Sequence, residues 1–109
     1  MREIDIDQFA SALENGASVI DVRETSEYAA GHVPGAINIP MGRLPSRLVE
    51  LDRSTPVHLI CASGNRSAAM AEVLIVHGFD AVNVLGGTGA WIRSGRPIDQ
   101  GATVTGGTR

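Results

Sequence analysis

The chain has 109 residues and a mass of 11.4 kDa, which is enough for one domain with a buried core and too little for two of ordinary size. Hydrophobic residues make up 43% and charged residues 19% of the sequence, a globular composition that excludes wholesale disorder. The net charge of −3 and the aromatic content of 4% argue against a nucleic-acid partner.

Cysteine occurs once, at Cys61, so an internal disulfide and a four-cysteine zinc site are both excluded. The histidines show no ligand spacing around it, and we expect no metal. No run approaches the ~20 apolar residues that span a bilayer, and the acidic N-terminal segment does not resemble a signal peptide. We therefore expect a cytoplasmic protein with no membrane partner, in a compartment that keeps thiols reduced.

Helical and strand patterns alternate along the chain. Asp7 and Ser26 are the expected N-caps of the first two helices, and the apolar helix that ends near His77 is expected to be heavily buried all round. The predicted elements are a helix over 8–15, a strand over 18–22, a helical turn over 27–30, a strand over 36–39, a helix over 45–51, a strand over 56–61, a helix over 66–77, a strand over 81–85 and a helix over 88–93.

This alternation predicts crossover connections, and hence an α/β domain whose mostly parallel central sheet has helices on both faces. No repeat or internal boundary divides the chain, so we assign residues 1–98 to one domain. From Asp99 onward the sequence is rich in Gly and Thr and offers little to bury. We expect residues 99–109 to form a flexible C-terminal tail.

The segment at 61–67, Cys-Ala-Ser-Gly-Asn-Arg-Ser, leaves a buried strand and leads into a helix. Backbone N–H groups in such a loop can form an anion-binding nest, and the helix N-terminus adds a partial charge of about +0.5. Gly64 permits a backbone conformation that a side chain forbids, and Arg66 adds a fixed positive charge. Such surroundings lower a cysteine pKa from about 8.5 to roughly 3.5–7.5, so we predict that Cys61 is an ionised nucleophile. The alternative is an inert buried cysteine at a strand end.

Three motifs resemble those of the single-domain rhodaneses, a sulfurtransferase family. Cys61-x-x-Gly64-x-Arg66-Ser67 looks like the active-site loop of that family. The segment 21–40 is similar to its N-terminal signature, and Leu-Gly-Gly-Thr-Gly-Ala-Trp at 85–91 is similar to its C-terminal one. The resemblance covers about residues 3 to 98 in the family's order. It implies a small rhodanese-like domain with a sheet of about five strands.

The resemblance also implies a two-step sulfur transfer that needs no cofactor. Cys61 would take a sulfane sulfur from a donor such as thiosulfate or a persulfide, and a thiol, cyanide or protein acceptor would then remove it. Arg23, at another strand end, is a further candidate, although a structural network with Asp21 and Glu27 is the preferred interpretation. Besides Arg23, the predicted substrate-binding residues are Ala62, Ser63, Gly64, Asn65, Arg66 and Ser67.

Several of these residues also have structural interpretations. Arg66 is expected to orient an anionic donor, and the alternative is a pairing with a nearby carboxylate. Ser63 and Asn65 suit either a contact to the bound sulfur or a turn. The glycine pair at 86–87 is better explained by tight strand-to-helix packing than by a phosphate loop, because no full glycine fingerprint and no lysine accompany it.

Other functions remain alternatives. Cysteine phosphatases and arsenate reductases use Cys-x5-Arg, whereas four residues separate Cys61 from Arg66, a loop better suited to one sulfur atom than to phosphate. A non-catalytic rhodanese-like binding module typically lacks the cysteine, and a peroxide-sensing thiol would need an outside thiol. His58 lies an odd number of residues before Cys61, on the opposite face of the strand, and is not expected to act as its base. Because Arg66 is the loop's only charge, we expect weak activity with dianionic thiosulfate.

Overall fold

A computed structural model describes residues 1–102, which are organised around a five-stranded sheet. The spatial order of the strands is β1-β5-β4-β2-β3, and every neighbouring pair is parallel. The predicted α/β class and parallel sheet are confirmed. The strands are β1 (Arg2–Ile4), β2 (Ser18–Asp21), β3 (Ile37–Asn38), β4 (Val57–Ile60) and β5 (Ala81–Val84).

Helices cover both faces of the sheet because side chains on each strand alternate between two hydrophobic clusters. On β4, Leu59 packs into the cluster that contains Leu74, and Ile60 packs into the cluster that contains Phe9 and Trp91. None of the helices within residues 1–102 has the length and apolar character needed to cross a bilayer. The helices are α1 (Ile6–Glu14), α2 (Thr25–Ala30), a 3-10 segment (Leu44–Glu50), α3 (Asn65–Val76) and α4 (Gly87–Arg93).

The first helix begins earlier than predicted. The Asp5 carboxylate accepts a hydrogen bond from the Gln8 amide at 2.8 Å, and the Gln8 side chain accepts one from the Asp5 amide at 2.9 Å. This reciprocal capping box makes Asp5, rather than Asp7, the N-cap. Strand β1, just before it, was not predicted because it is only 3 residues long and lacks an apolar run.

Two further helical starts differ from the prediction. The N-cap of α2 is Glu24 rather than Ser26, because the Glu27 side chain accepts a hydrogen bond from the Glu24 amide at 3.0 Å. The segment predicted as a helix over 45–51 is a 3-10 segment with non-helical dihedral angles at Arg47. Short 3-10 runs of this kind are common connectors, and this one leads into the loop before β4.

The expected burial of α3 on all sides is wrong. Met70, Ala71 and Leu74 are buried against the sheet, whereas Val76 is 82% exposed and Ile75 is 38% exposed. The helix covers one face of the sheet and nothing covers its outer side within the described residues. Its apolar composition therefore overstates its burial, since the two apolar residues at its C-terminal end do not face the sheet.

The segment after Pro97 is attached to the domain. His32 and Asp99 exchange two backbone hydrogen bonds, each of 2.9 Å, and the Gly101 amide donates to the Ala29 carbonyl at 2.8 Å. Residues 99–101, expected to belong to a flexible tail, are thus hydrogen-bonded to the end of α2. The rest of that predicted tail, 103–109, lies outside the described residues.

Candidate active site

Cys61 follows the last residue of β4, the central strand of the sheet. Strands β2 and β5 flank β4, and all three run parallel, so their carboxyl ends meet at the same edge. Ligand sites of open parallel sheets lie at this edge, in the crevice beyond the strand ends. The loop from Cys61 to Gly64 connects β4 to α3 there.

The loop folds back on the sulfur. The Gly64 amide donates a hydrogen bond to Cys61 Sγ at 3.1 Å, and the Ser67 Oγ lies 3.3 Å from the same sulfur. Gly64 has a φ of +107°, in the left-handed region that favours glycine, which lets its N–H face inward. The amides of Ser63 and Ser67 also contribute to lowering the pKa of Cys61. The loop therefore has the form of an amide nest around Cys61.

The pKa of Cys61 reflects two opposing effects. Burial raises the pKa of the thiol, since the residue is only 1% exposed. Hydrogen bonding lowers it, through the Ser67 hydroxyl when its hydrogen turns to the sulfur and through the amides of Ser67, Gly64 and Ser63. The hydrogen bonds prevail, so the pKa of Cys61 lies below its ordinary value and the thiolate is favoured relative to a free cysteine.

The start of α4 hydrogen-bonds to the carbonyl groups at the beginning of the loop. The Thr88 amide donates to the Cys61 carbonyl at 2.8 Å, and the Gly89 amide donates to the Ala62 carbonyl at 3.0 Å. Gly87 has a φ of +59°, and a Cβ at this position would lie 2.3 Å from the Cys61 carbonyl oxygen. The glycine pair at 86–87 is thus explained by close packing, as the sequence predicts.

Gly87→Ala should destabilise the domain, because the new methyl group would displace the Cys61 carbonyl. Gly16→Ala is the matched control, since Gly16 has a φ of +85° but no atom within 4 Å of an added Cβ. Gly87→Ala should lower the free energy of unfolding by about 1–3 kcal/mol more than Gly16→Ala does. Urea unfolding measures this difference, and equal losses would contradict the packing role.

Arg66 is paired with a carboxylate. Its Nη1 and Nη2 donate to Glu27 Oε1 and Oε2 at 2.8 and 2.9 Å. The hydrogen bond from Arg66 lowers the pKa of Glu27 to about 2, against the opposing effect of burial. A depressed carboxylate pKa means that the pair is intact above an ordinary pKa of 4.5 and is lost only as the pH falls toward about 2. The structural alternative for Arg66 is therefore observed, and donor orientation remains a prediction.

Arg23 also has a structural role. Its Nη2 lies 2.8 Å from Asp21 Oδ2, its Nε donates to Asp21 Oδ1 at 3.0 Å, and Nη2 also donates to the Gly31 carbonyl at 2.7 Å. The Arg23 side chain is only 8% exposed. These contacts give Arg23 the structural role that the sequence favours, and its contact with a substrate stays a prediction. The expected network with Asp21 exists, but Glu27 pairs with Arg66 and not with Arg23.

The remaining predicted substrate-binding residues differ in their exposure to solvent. Ser63 and Asn65 are exposed at the mouth of the loop, whereas Gly64 and Ser67 are buried beside the sulfur and Ala62 is intermediate. Their contacts to a substrate remain predictions. Within residues 1–102, no three side chains of the types His, Cys, Asp and Glu are grouped so as to hold a metal ion.

His58 does not approach the sulfur. Its ring packs against Phe9, with ring centroids 6.1 Å apart, on the side of the sheet that holds the Phe9 cluster. Cys61 belongs to the other cluster. The alternation of side chains along β4 thus separates the two residues, as predicted from their spacing.

Asn83 is a site residue that the sequence analysis missed. It lies on β5, is 1% exposed, and has its Oδ1 2.6 Å from Ser67 Oγ. Its Nδ2 donates to the Gly64 carbonyl at 3.2 Å and to Glu3 Oε2 at 3.0 Å. The available signal was a lone amide in the apolar run Ala-Val-Asn-Val, since a buried polar side chain needs hydrogen-bond partners.

Fold and site together define an α/β domain with a thiol in an amide nest at the carboxyl edge of a parallel sheet. The sequence profile of the family described as "Rhodanese-like domain" matches residues 5–94. The chain belongs to this family.

Two curated relatives come from Bacillus subtilis (strain 168). "Putative sulfur carrier protein YrkF" is 36% identical over 92 residues, which are 82% of this chain and 50% of that protein. "Putative sulfurtransferase YtwF" is 42% identical over 79 residues, 72% of this chain and 77% of that protein. The chain thus spans only half the length of YrkF. Their names place the chain in a sulfurtransferase-type family.

The fold also matches a solved structure closely. The rhodanese-related protein from Thermoplasma volcanium superposes with a TM-score of 0.85 at 36% sequence identity. The match covers 91% of this chain and 98% of that one. The two chains therefore share their fold over nearly the whole length of the Thermoplasma volcanium structure.

Proposed function

We propose that this domain is a sulfurtransferase that carries a sulfane sulfur as a persulfide on Cys61. The main support for this proposal is that the loop folds back on the sulfur, with the Gly64 amide 3.1 Å from Sγ. A persulfide is an anion at neutral pH, and inward-facing N–H groups stabilise an anion without a metal. The sulfur-related names of the relatives support the same chemistry.

In the first step, the Cys61 thiolate attacks the outer sulfur of the donor. A bond forms between Cys61 Sγ and that sulfur, while the donor's S–S bond breaks and its electron pair stays with the leaving group. With thiosulfate, a thiolate and a dianion give a singly charged persulfide and sulfite. With an organic persulfide, the leaving group is a thiolate.

In the second step, a nucleophilic acceptor attacks the terminal sulfur of the persulfide. The S–S bond to Cys61 breaks, its electrons return to Sγ, and the thiolate is regenerated in the same nest. Cyanide serves as the acceptor in an assay, and a thiol or a protein serves in the cell. The two half-reactions share no ternary complex, so the kinetics should be ping-pong.

Intact mass spectrometry after incubation with thiosulfate or an organic persulfide tests the proposal. The protein should gain one sulfur atom, because the nest retains the persulfide, and added cyanide should remove it. Cys61→Ser is the control and should gain none. A folded protein that gains no sulfur from either donor would instead favour a non-catalytic binding module.

We further infer that the preferred donor carries less charge than thiosulfate. The cation of the loop, Arg66, is already neutralised by Glu27, with side chains about one-third exposed at 34% and 35%. Arg23 is committed to Asp21 in a buried pair. Both arginines are thus paired with carboxylates, and neither offers a free positive charge to a dianionic donor. An organic persulfide or a partner protein places less negative charge at the site and needs less compensation.

Glu27→Gln should raise kcat/KM for thiosulfate by about fivefold, because it removes one negative charge near the loop while an amide oxygen still accepts hydrogen bonds. Glu50→Gln is the matched control, since it disrupts the pair of Arg47 and Glu50, which lies outside the site. Steady-state assays with cyanide as acceptor give both values. A kcat/KM for thiosulfate that does not change, or a Michaelis constant of wild type well below millimolar, would contradict this donor preference.

A further inference from the structure

Ser67 has two neighbours but only one hydroxyl hydrogen to donate. Its Oγ lies 2.6 Å from Asn83 Oδ1 and 3.3 Å from Cys61 Sγ. A serine hydroxyl carries one hydrogen and two lone pairs, so it can donate to one of these atoms and must accept from, or merely contact, the other. Which atom receives the hydrogen decides how Ser67 affects the thiol.

The orientation of Asn83 answers this question. Its Nδ2 lies 3.0 Å from Glu3 Oε2 and 3.2 Å from the Gly64 carbonyl oxygen. A carboxylate and a carbonyl accept hydrogen bonds and donate none, so the amide nitrogen must face them. The oxygen of the same amide then faces Ser67 and has no hydrogen to give. The 2.6 Å contact is therefore a hydrogen bond donated by Ser67 to Asn83.

We propose that Asn83 is a positioning residue that holds the hydroxyl hydrogen of Ser67 away from Cys61. Ser67 then accepts the hydrogen of the neutral thiol, and the hydroxyl can stabilise the thiolate only by giving up its hydrogen bond to Asn83, so the loop amides are the groups left to stabilise the thiolate. This inference deepens the proposed function and rests on it, because it assigns a role only if the Cys61 thiolate is the nucleophile.

With Ser67 held by Asn83, the free energy of ionising the Cys61 thiol is higher than it would be in the amide nest alone. When the thiol loses its proton, a lone pair of Ser67 faces a negatively charged sulfur. The hydroxyl can turn toward the sulfur only by leaving Asn83 Oδ1, a buried acceptor, without its donor, and an unsatisfied buried acceptor is unfavourable. Asn83 is 1% exposed, so water does not readily replace the lost bond.

This cost has a chemical benefit. A thiolate becomes a weaker nucleophile as its pKa falls, and the best attacking thiol has a pKa near the ambient pH. An amide nest with a further hydroxyl donor would stabilise the thiolate more and would lower its intrinsic nucleophilicity. Asn83 thus limits how far the nest lowers the pKa.

The charged groups around the loop each hydrogen-bond to a neighbour other than Cys61. Arg66 on α3 faces Glu27 from α2, Arg23 faces Asp21 at the end of β2, and Glu3 from β1 accepts from Asn83. Within the described residues, none of these charged side chains hydrogen-bonds to Sγ. Substitutions at 67 and 83 leave all of these charges unchanged, so a shift in the Cys61 pKa reports on the hydroxyl and the amide.

The test is the pKa of Cys61, taken from the pH dependence of alkylation by iodoacetamide, in four proteins. They are the wild type, Ser67→Ala, Asn83→Ala and the double variant. Asn83→Ala frees the hydroxyl to donate to the thiolate and should lower the pKa by about one unit, a tenfold change in the ratio of thiolate to thiol. Ser67→Ala should leave the pKa unchanged or lower it. In the Ser67→Ala background, Asn83→Ala should cause no further shift.

Two results would overturn the inference. One is a pKa raised by half a unit or more in Ser67→Ala, which requires the hydroxyl hydrogen to lie on the sulfur in the wild type. The other is an equal shift on replacing Asn83 in both backgrounds, which would mean that Asn83 acts through its other partners, Glu3 and the Gly64 carbonyl, and not through Ser67.

The experiment distinguishes a failure of this inference from a failure to fold and from a failure of the proposed function. If Asn83→Ala does not fold, as judged by circular dichroism, the sign of the shift in Ser67→Ala alone decides. The alkylation assay contains no sulfur donor. The predicted pKa pattern without persulfide formation therefore refutes the proposed function and supports the hydrogen-bond arrangement. Persulfide formation without the pKa pattern supports the proposed function and refutes the hydrogen-bond arrangement.

Discussion

The site depends on one hydrogen bond, from the Gly64 amide to the sulfur of Cys61. It exists because a glycine in the left-handed region turns the chain back onto the residue that ends β4. Gly87 supports this arrangement, because its missing side chain lets α4 approach the Cys61 carbonyl closely. Two glycines from distant parts of the chain thus define the space around one thiol.

Much of the fold follows from local sequence. The apolar runs of β2, β4 and β5 and the turn residues between them are enough to predict parallel strands with helical crossovers. The loop at 61–67 is also predictable, because a cysteine, a glycine and an arginine follow a buried strand directly. These features are encoded within about ten residues, the range over which periodicity and turn chemistry act.

The missed strand and the missed side-chain partners have a common physical cause in long-range pairing. Strand β1 becomes a strand by hydrogen-bonding to β5, some eighty residues away, and its own residues carry little preference. The partner of Arg66 is Glu27, 39 positions earlier, and Asn83 reaches Ser67 across 16 positions. Such partners are selected by the three-dimensional arrangement of the strands. Two residues of the N-terminal signature, Asp21 and Arg23, form a buried pair with each other, a contact that a motif alone does not reveal.

The contact between Glu3 and Asn83 has a dynamic consequence. Glu3 belongs to β1, an edge strand of 3 residues that pairs with β5 alone. Short edge strands open locally at low free energy, well before the central strands do. When β1 frays, Asn83 loses one of the two acceptors that fix the orientation of its amide. The reactivity of the buried thiol is thereby coupled to an edge strand of the sheet, and amide exchange rates in β1 and in the cysteine loop should change together.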